Sequence, residues 1–344
     1  MPEVRELQPD GLTRDEWTLY HAYRRRRHSD MSPEDPLVPD DIEELLLSRP
    51  DSRWINARWM LLEGDEVVSV LRTELTNPES PEYATNRHLM WAEAHVLDTH
   101  RGRGFGRSWL RAVVEEMDSH GATVMTSAAH REPGHQFLRR LGAEPRLTER
   151  ESRLDLAAVD WDMVARWARE GPERSAGATL ELHDWRVPDG ALAELCDAVN
   201  ELINTIPFED MDHGEIVQTA DNVREWYGRL DAMGSAHHTC VMRDREGAIV
   251  GVTDVLKHPH EAHLVRQLFT GVHPRARGRG LGKWLKAAML QHVRRVHPEA
   301  TTVETGNARS NDPMLAINHA LGFRLHRTWT YYQVGRDALR AAVP

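Results

Sequence analysis

Lysine is almost missing from this 344-residue chain: Lys257, Lys283 and Lys286 are the only three among 43 basic residues, which leaves 40 arginines. That skew reads as the coding bias of a GC-rich genome, not as a binding device. Against 54 acidic residues the formal net charge is −11, which argues against a nucleic-acid partner and is compatible with a cationic small substrate. Cysteine is scarcer still. Cys196 and Cys240 cannot build a disulfide framework, lack metal-ligand spacing, and fit a reducing cytoplasm. No run of about 18 apolar residues occurs, and "MPEVRELQPDGLTRDEW" lacks an apolar h-region, so neither a membrane span nor a signal peptide is expected. The 20 histidines include no H-x-x-x-H or H-E-x-x-H, so no metal site is expected either.

What remains is an ordinary globular composition, 40% hydrophobic and 28% charged, at a length that suggests two domains. The order of elements repeats. In the first half "RWMLLEGDEVVSVLRTEL" reads as a hairpin and "RHLMWAEAHVL" as a strand; "RSWLRAVVEEMDSHG" is a helix ending on Gly121. A strand "ATVMTSAA", a short helix stopped at Gly142 and a closing strand "RESRLDL" follow. The second half gives "HTCVMRDREGAIVGVTDVL", "AHLVRQLFTGV", "GKWLKAAMLQHVRRVHP", "ATTVETGNA", "PMLAINHALGF" and a closing "RTWTYYQV". Two copies of one mixed α/β unit are expected, over 1–156 and 179–344, with a linker at 157–178 where an amphipathic helix runs into Gly, Pro and Ser. Composition leaves monomer and homodimer open.

Each copy turns from strand to helix through glycines, as "RARGRGLGKWLKA" and "HRGRGFGRSWLRA". Such a turn aims backbone N–H groups and the positive end of a helix dipole at one point, where phosphate is the usual occupant. Gly278, Gly280 and Gly282 are spaced one residue too tightly for the dinucleotide fingerprint, and Trp284 stands where a Walker motif needs Ser or Thr. The pattern present is R-x-x-G-x-G, met by Arg277, Gly280 and Gly282 and again by Arg101, Gly104 and Gly106. With "ETGNARSNDPMLAINHALGF" following the second turn, the chain resembles two tandem GNAT acetyltransferase domains.

The resemblance implies two GNAT folds, each a central mixed, mostly antiparallel sheet flanked by helices, and an acetyl-CoA-dependent N-acetyltransferase of a small amine. It implies a cofactor cradle at Val272, Arg277, Gly278, Arg279, Gly280, Leu281, Gly282 and Lys283, with Asn311 nearby. The first-half counterpart is Val96 with Arg101, Gly102, Arg103, Gly104, Phe105, Gly106 and Arg107. Many GNAT enzymes protonate the departing thiolate with a tyrosine four residues before the Gly of "GF"; here those positions are Asn318 and Leu138, so Tyr331 or Tyr332 on the last strand, or water, is expected to serve. A protonated amine needs a base, for which Glu304, Asp254 and His258 are candidates, and Asn307 follows the same strand as Glu304. In the first half Glu93 occupies a base-like position, but "SAAHREPG" lacks the two asparagines, so the second half is expected to be catalytic. The acidic loop residues Glu209, Asp210 and Asp212 suit a cationic acceptor, while Arg24 to Arg27 read as a solvated helix face. A non-catalytic acyl-CoA binder and a protein-lysine acetyltransferase remain alternatives.

Overall fold

The computed structural model describes residues 3–344, which fall into two compact units. Unit 1 comprises Met1–Arg146, Met211–Glu215 and Thr330–Pro344, and unit 2 comprises Leu147–Asp210 and Ile216–Trp329.

In unit 1, β1 (Glu3–Glu6) precedes the helices α1 (Arg14–Met31) and α2 (Asp40–Ser48). The hairpin β2 (Trp54–Glu63) and β3 (Glu66–Thr76), the short α3 (Tyr83–Asn86) and β4 (Leu89–Val96) follow, then α4 (Phe105–His120), β5 (Val124–Ala129) and α5 (Glu132–Arg140). Strand β6 (Glu144–Asp155) leads into unit 2, where α6 (Trp161–Arg174), β7 (Thr179–His183), α7 (Leu192–Ile203) and α8 (Ala220–Ala232) come before β8 (Ala236–Arg243), β9 (Ile249–Lys257) and β10 (Leu264–Val272). Then come α9 (Leu281–Val296), β11 (Thr302–Ala308), α10 (Asp312–Leu321), β12 (Arg324–Gly335) and α11 (Arg336–Ala342). In each unit one strand pair is parallel, β4 with β5 and β10 with β11, while β1–β2, β2–β3, β3–β4, β5–β12, β6–β11, β7–β8, β8–β9 and β9–β10 are antiparallel.

The closing strands depart from expectation. Residues 330–335 of β12 pair with β5, and residues 149–155 of β6 pair with β11, so each copy's last strand completes the other copy's sheet. Period-2 alternation fixes which face of a strand is buried but carries no label for its partner, and two similar 12-residue strands can serve either edge. The linear partition into 1–156 and 179–344 therefore does not match the contacts.

The expected linker is also core. Val164 of α6 is fully buried, and Trp161, Met163, Trp167 and Ala168 pack on the unit 2 cluster that includes Trp284 and Leu285 of α9. Gly171 lets α6 approach that closely: a Cβ there would lie 2.1 Å from the Trp284 ring. Gly171→Ala is accordingly expected to destabilise unit 2 by about 1–3 kcal/mol through overpacking, read as a lower urea midpoint at unchanged m-value.

Candidate functional site

In unit 2, β10 and β11 run side by side from Leu264↔Thr302 to Gln267↔Thr305 and then part, while β10 stays on β9 as far as Val272↔Gly251. The parting coincides with a bulge in β10 between Gln267 and Thr270. Side chains hold the bulge open. Gln267 donates Nε2 to Thr253 Oγ1 and to the Asp254 carbonyl, both at 2.9 Å, and the Phe269 N–H donates to Asp254 Oδ1 at 2.8 Å. Because the His273 N–H reaches the Val250 carbonyl, strand alternation turns the backbone groups of Val272 and Thr270 away from β9, toward the gap that β11 has left. Unit 1 parts its parallel pair beyond Trp91↔Thr126, but its β3–β4 register runs unbroken from Ser69↔Val96 to Leu75↔Met90, with no bulge.

The gap leads to the glycine turn. Gly278 and Gly280 adopt φ of 80° and 79°, a region that side chains disfavour, and Gly280 caps α9 without any side-chain cap. The next amides, Lys283 and Trp284, fold back to the Gly280 carbonyl; those of Gly280, Leu281 and Gly282 have no backbone acceptor among the described residues, as the first amides of a helix do not, and so are available to an anion. Gly282 is small for another reason: a Cβ there would sit 3.2 Å from Ile317 of α10. Unit 1 repeats this backbone, with Gly102 at 76°, Gly104 at 88° and Gly106 close against Phe137.

The side chains of the two cradles differ in use. Arg277 donates Nε to the Val272 carbonyl at 2.8 Å and Nη2 to Thr205 at 2.7 Å, so it ties the turn to the end of β10, as Arg101 does to the Val96 carbonyl at 3.3 Å. Leu281 and Phe105 are buried core residues and offer only their amides. Lys283 lies over the Trp167 ring, and Arg107 donates to the Ala342 carbonyl. Arg103 is paired with Glu63, whereas Arg279 is exposed and has no partner among the described residues.

Behind the unit 2 gap runs a polar chain that residue spacing did not reveal. Lys286, fully buried, donates Nζ to Asn318 Oδ1 at 2.6 Å, and Asn318 donates Nδ2 to Asn307 Oδ1 at 2.6 Å. Burial pushes the Lys286 amine down to about 7. Its donors fix the amide's orientation: Asn318 must turn its oxygen inward and its NH₂ outward, leaving one N–H beyond the bond to Asn307. The only sequence signal is a lysine inside α9, a helix buried on most of its surface.

The other expected residues are placed as follows. Glu304 sits in the paired part of β11 with one oxygen on Arg153 at 2.8 Å and the other on Arg266 at 2.5 Å, so both carboxylate oxygens are engaged. Asn311 caps α10 through Met314. Tyr331, expected beside the second cradle, belongs to unit 1 because β12 pairs there with β5; its ring lies 5.9 Å from Trp91. Tyr332 is buried in unit 1 and bonded to His135. Glu93 is held by Arg27 at 2.7 Å and Arg24 is buried on Asp40 and His21, while Arg25 and Arg26 stay exposed and pair with Asp40 and Glu66, so only part of the arginine run is a solvated face. His258 bonds Ser235, and burial pushes it down to about 4. In the acidic loop, Glu209 accepts from the Thr148 and Ser310 amides, and Asp212 of unit 1 bonds His88 and Gln333. Asp254, in contrast, keeps Oδ2 at 2.9 Å from His237 Nε2, and the opposite ring nitrogen of His237 is buried with no partner.

The model of the acetyltransferase (GNAT) family matches residues 16–143 and 198–323, one match to each cradle. The chain belongs to the GNAT acetyltransferases. This GNAT chain is 26% identical over 284 residues to a mycothiol acetyltransferase of Streptomyces avermitilis, covering 80% of the chain and 78% of that protein. Its fold is that of a tandem GNAT protein from the clavulanic acid biosynthesis pathway, with a TM-score of 0.76 at 22% identity over 98% of this chain and 99% of that one. A GCN5-related N-acetyltransferase from Sphaerobacter thermophilus gives a TM-score of 0.62 at 14% identity, covering 97% and 96% of the two chains. Among the described residues no helix is long and apolar enough to cross a membrane.

Proposed function

We propose that the second GNAT copy transfers an acetyl group from acetyl-CoA to the amine of a small molecule by direct attack on the thioester. The observation that carries this reading is the bulged parting of β10 from β11, which opens unpaired backbone beside the free amides of the Gly280 turn. The donor set fits the group: Gly280, Leu281 and Gly282 amides with Arg279 suit a pyrophosphate, and the outward N–H groups of Thr270 and Val272 with the Thr270 carbonyl suit the amide arm of pantetheine, the Val272 carbonyl being taken by Arg277.

The chain's own groups then divide the work. The outward N–H groups of the β10 edge polarise the thioester carbonyl, an oxyanion-type contact. His237, oriented by Asp254, accepts the proton the amine must shed, directly or through a water, at the ring nitrogen that has no other partner. The spare N–H of Asn318 steadies the departing thiolate, in place of the tyrosine. The first copy, without bulge or polar chain, serves as scaffold or as a second CoA-binding site.

Release of CoA from acetyl-CoA tests the reading with a panel of aminoglycosides, amino acids and aminosugar thiols, alongside a lysine-containing peptide. At least one small amine is expected to raise CoA release well above the amine-free rate. Acetyl-CoA that binds while no amine elicits release would point to a non-catalytic binder, and release with the peptide alone to a protein-lysine acetyltransferase.

A further inference from the structure

A cluster in unit 2 lies apart from the cradle and plays no part in that function. Asp184, directly after β7, places Oδ1 3.0 Å from His238 Nδ1 on β8 and 2.7 Å from His292 Nε2 on α9. The two ring nitrogens are themselves 3.1 Å apart. We propose that Asp184, His238 and His292 bind one divalent transition-metal ion of the zinc class.

Three donor atoms converge as one triangular face from β8, α9 and the segment that follows β7. A tetrahedral zinc with bonds of about 2.0–2.2 Å to nitrogen and oxygen needs its ligand atoms a little over 3 Å apart, so the triangle opens by only a few tenths of an ångström on loading. Both imidazoles are buried, while the Asp184 side chain is about half-exposed, which leaves the fourth position to water. The supporting bonds also suit ligation. A metal on His238 Nδ1 puts that ring's proton on Nε2, and His297 Nε2 stands 2.9 Å away to accept it. Ligation of His292 through Nε2 puts its proton on Nδ1, where Arg295 now donates at 2.9 Å; Arg295 is exposed and swings out. Two imidazoles and one carboxylate select zinc, cobalt or nickel over magnesium or calcium. Histidine spacing missed the site because no two of its ligands share an element. The ion would pin the chain after β7 to the C-terminal half of α9, the helix whose first turn carries the cradle.

The untagged full-length chain, stripped with a chelator and titrated with cobalt(II), is expected to take up one equivalent and to develop the intense visible absorption of a tetrahedral site. Asp184→Ala and His292→Gln should each weaken this uptake at least about tenfold and abolish the band. Asp184→Ala removes a half-exposed side chain and so should fold, which thermal unfolding in chelator checks. Zinc should raise the unfolding temperature of the parent chain and not that of Asp184→Ala, as ligation of the native state alone requires. Three results would each overturn the site: no stoichiometric uptake, only the weak spectrum of octahedral cobalt, or uptake and zinc stabilisation that both variants retain. The readouts do not depend on acetyl transfer.

Discussion

Replacing Lys286, Asn307 and Asn318 by Leu, Ala and Leu is expected to stabilise unit 2 at pH 7 and to cut acetyl transfer about a hundredfold. Those are the residues of the first copy: Leu110 stands as far after Gly104 as Lys286 after Gly280, Leu138 as far before Gly142 as Asn318 before Gly322, and Ala129 matches Asn307 along the parallel strand. Leu110, Leu138 and Ala129 are all buried and apolar. One copy thus packs its core where the other keeps a hydrogen-bonded amine. The stability argument rests on Lys286, whose amine burial pushes from 10.5 down to about 7. The unfolded chain still binds that proton up to about pH 10.5 while the folded chain has lost it above about 7, so in this window the unfolded state holds more protons and stability rises with pH. Below about 7 both states are protonated and the full cost of the buried ammonium, a few kcal/mol, is present.

Urea unfolding at about pH 6.5 and 9.5 reads this directly: the parent should gain stability with pH, and the triple variant should lack that gain. Lys286→Met alone should gain less, because it strands the Asn318 oxygen at a cost of about 1–3 kcal/mol. The activity loss follows from the lost Asn318 donor, since removal of one preorganised donor to developing charge costs on the order of 100-fold. A variant that is less stable at pH 6.5, or that keeps the parent's pH slope, sinks the account of Lys286 as a retained, costly charge.

Much of this was legible in the residues, and the failures share a cause. The hairpins, both glycine turns, the helices after them and the helix stops at Gly142 and Gly322 follow from local periodicity and from glycine at positive φ, and they fall where expected. Partner choice is not local. Which edge β6 and β12 complete depends on two competing strands, so Tyr331 was placed in the wrong copy. The linker reading failed because an amphipathic helix looks the same whether its apolar stripe meets a core or ends a domain. Charged residues with base-like positions proved to have partners far along the chain, Glu304 with Arg153 and Glu93 with Arg27, and no spacing rule carries that information. Asp254 was legible as a carboxylate on the right strand; that it holds both the bulge amide and His237 was not.

Gly280→Glu is expected to weaken acetyl-CoA binding at the second cradle by at least a hundredfold, about 2.7 kcal/mol. Two effects combine. At φ 79° any side chain costs about 1–2 kcal/mol, and the added carboxylate stands at the helix end where the proposed pyrophosphate sits. Like charges about 4 Å apart at a protein surface repel by up to about 4 kcal/mol, and Arg174, whose Nη1 would lie 3.7 Å from the new Cβ, offsets part of that. Gly280→Ala separates the effects, carrying the strain without the charge, and should lose tenfold or less. Gly104→Glu is the matched change in the first copy, at φ 88° with open space around it. It should leave amine-dependent CoA release unchanged, because the bulged edge and the Lys286 chain lie in unit 2. Calorimetric titration with acetyl-CoA beside the release assay reads all three variants. Full affinity in Gly280→Glu would remove the cradle assignment, and loss of turnover in Gly104→Glu but not in Gly280→Glu would move the chemistry to the first copy.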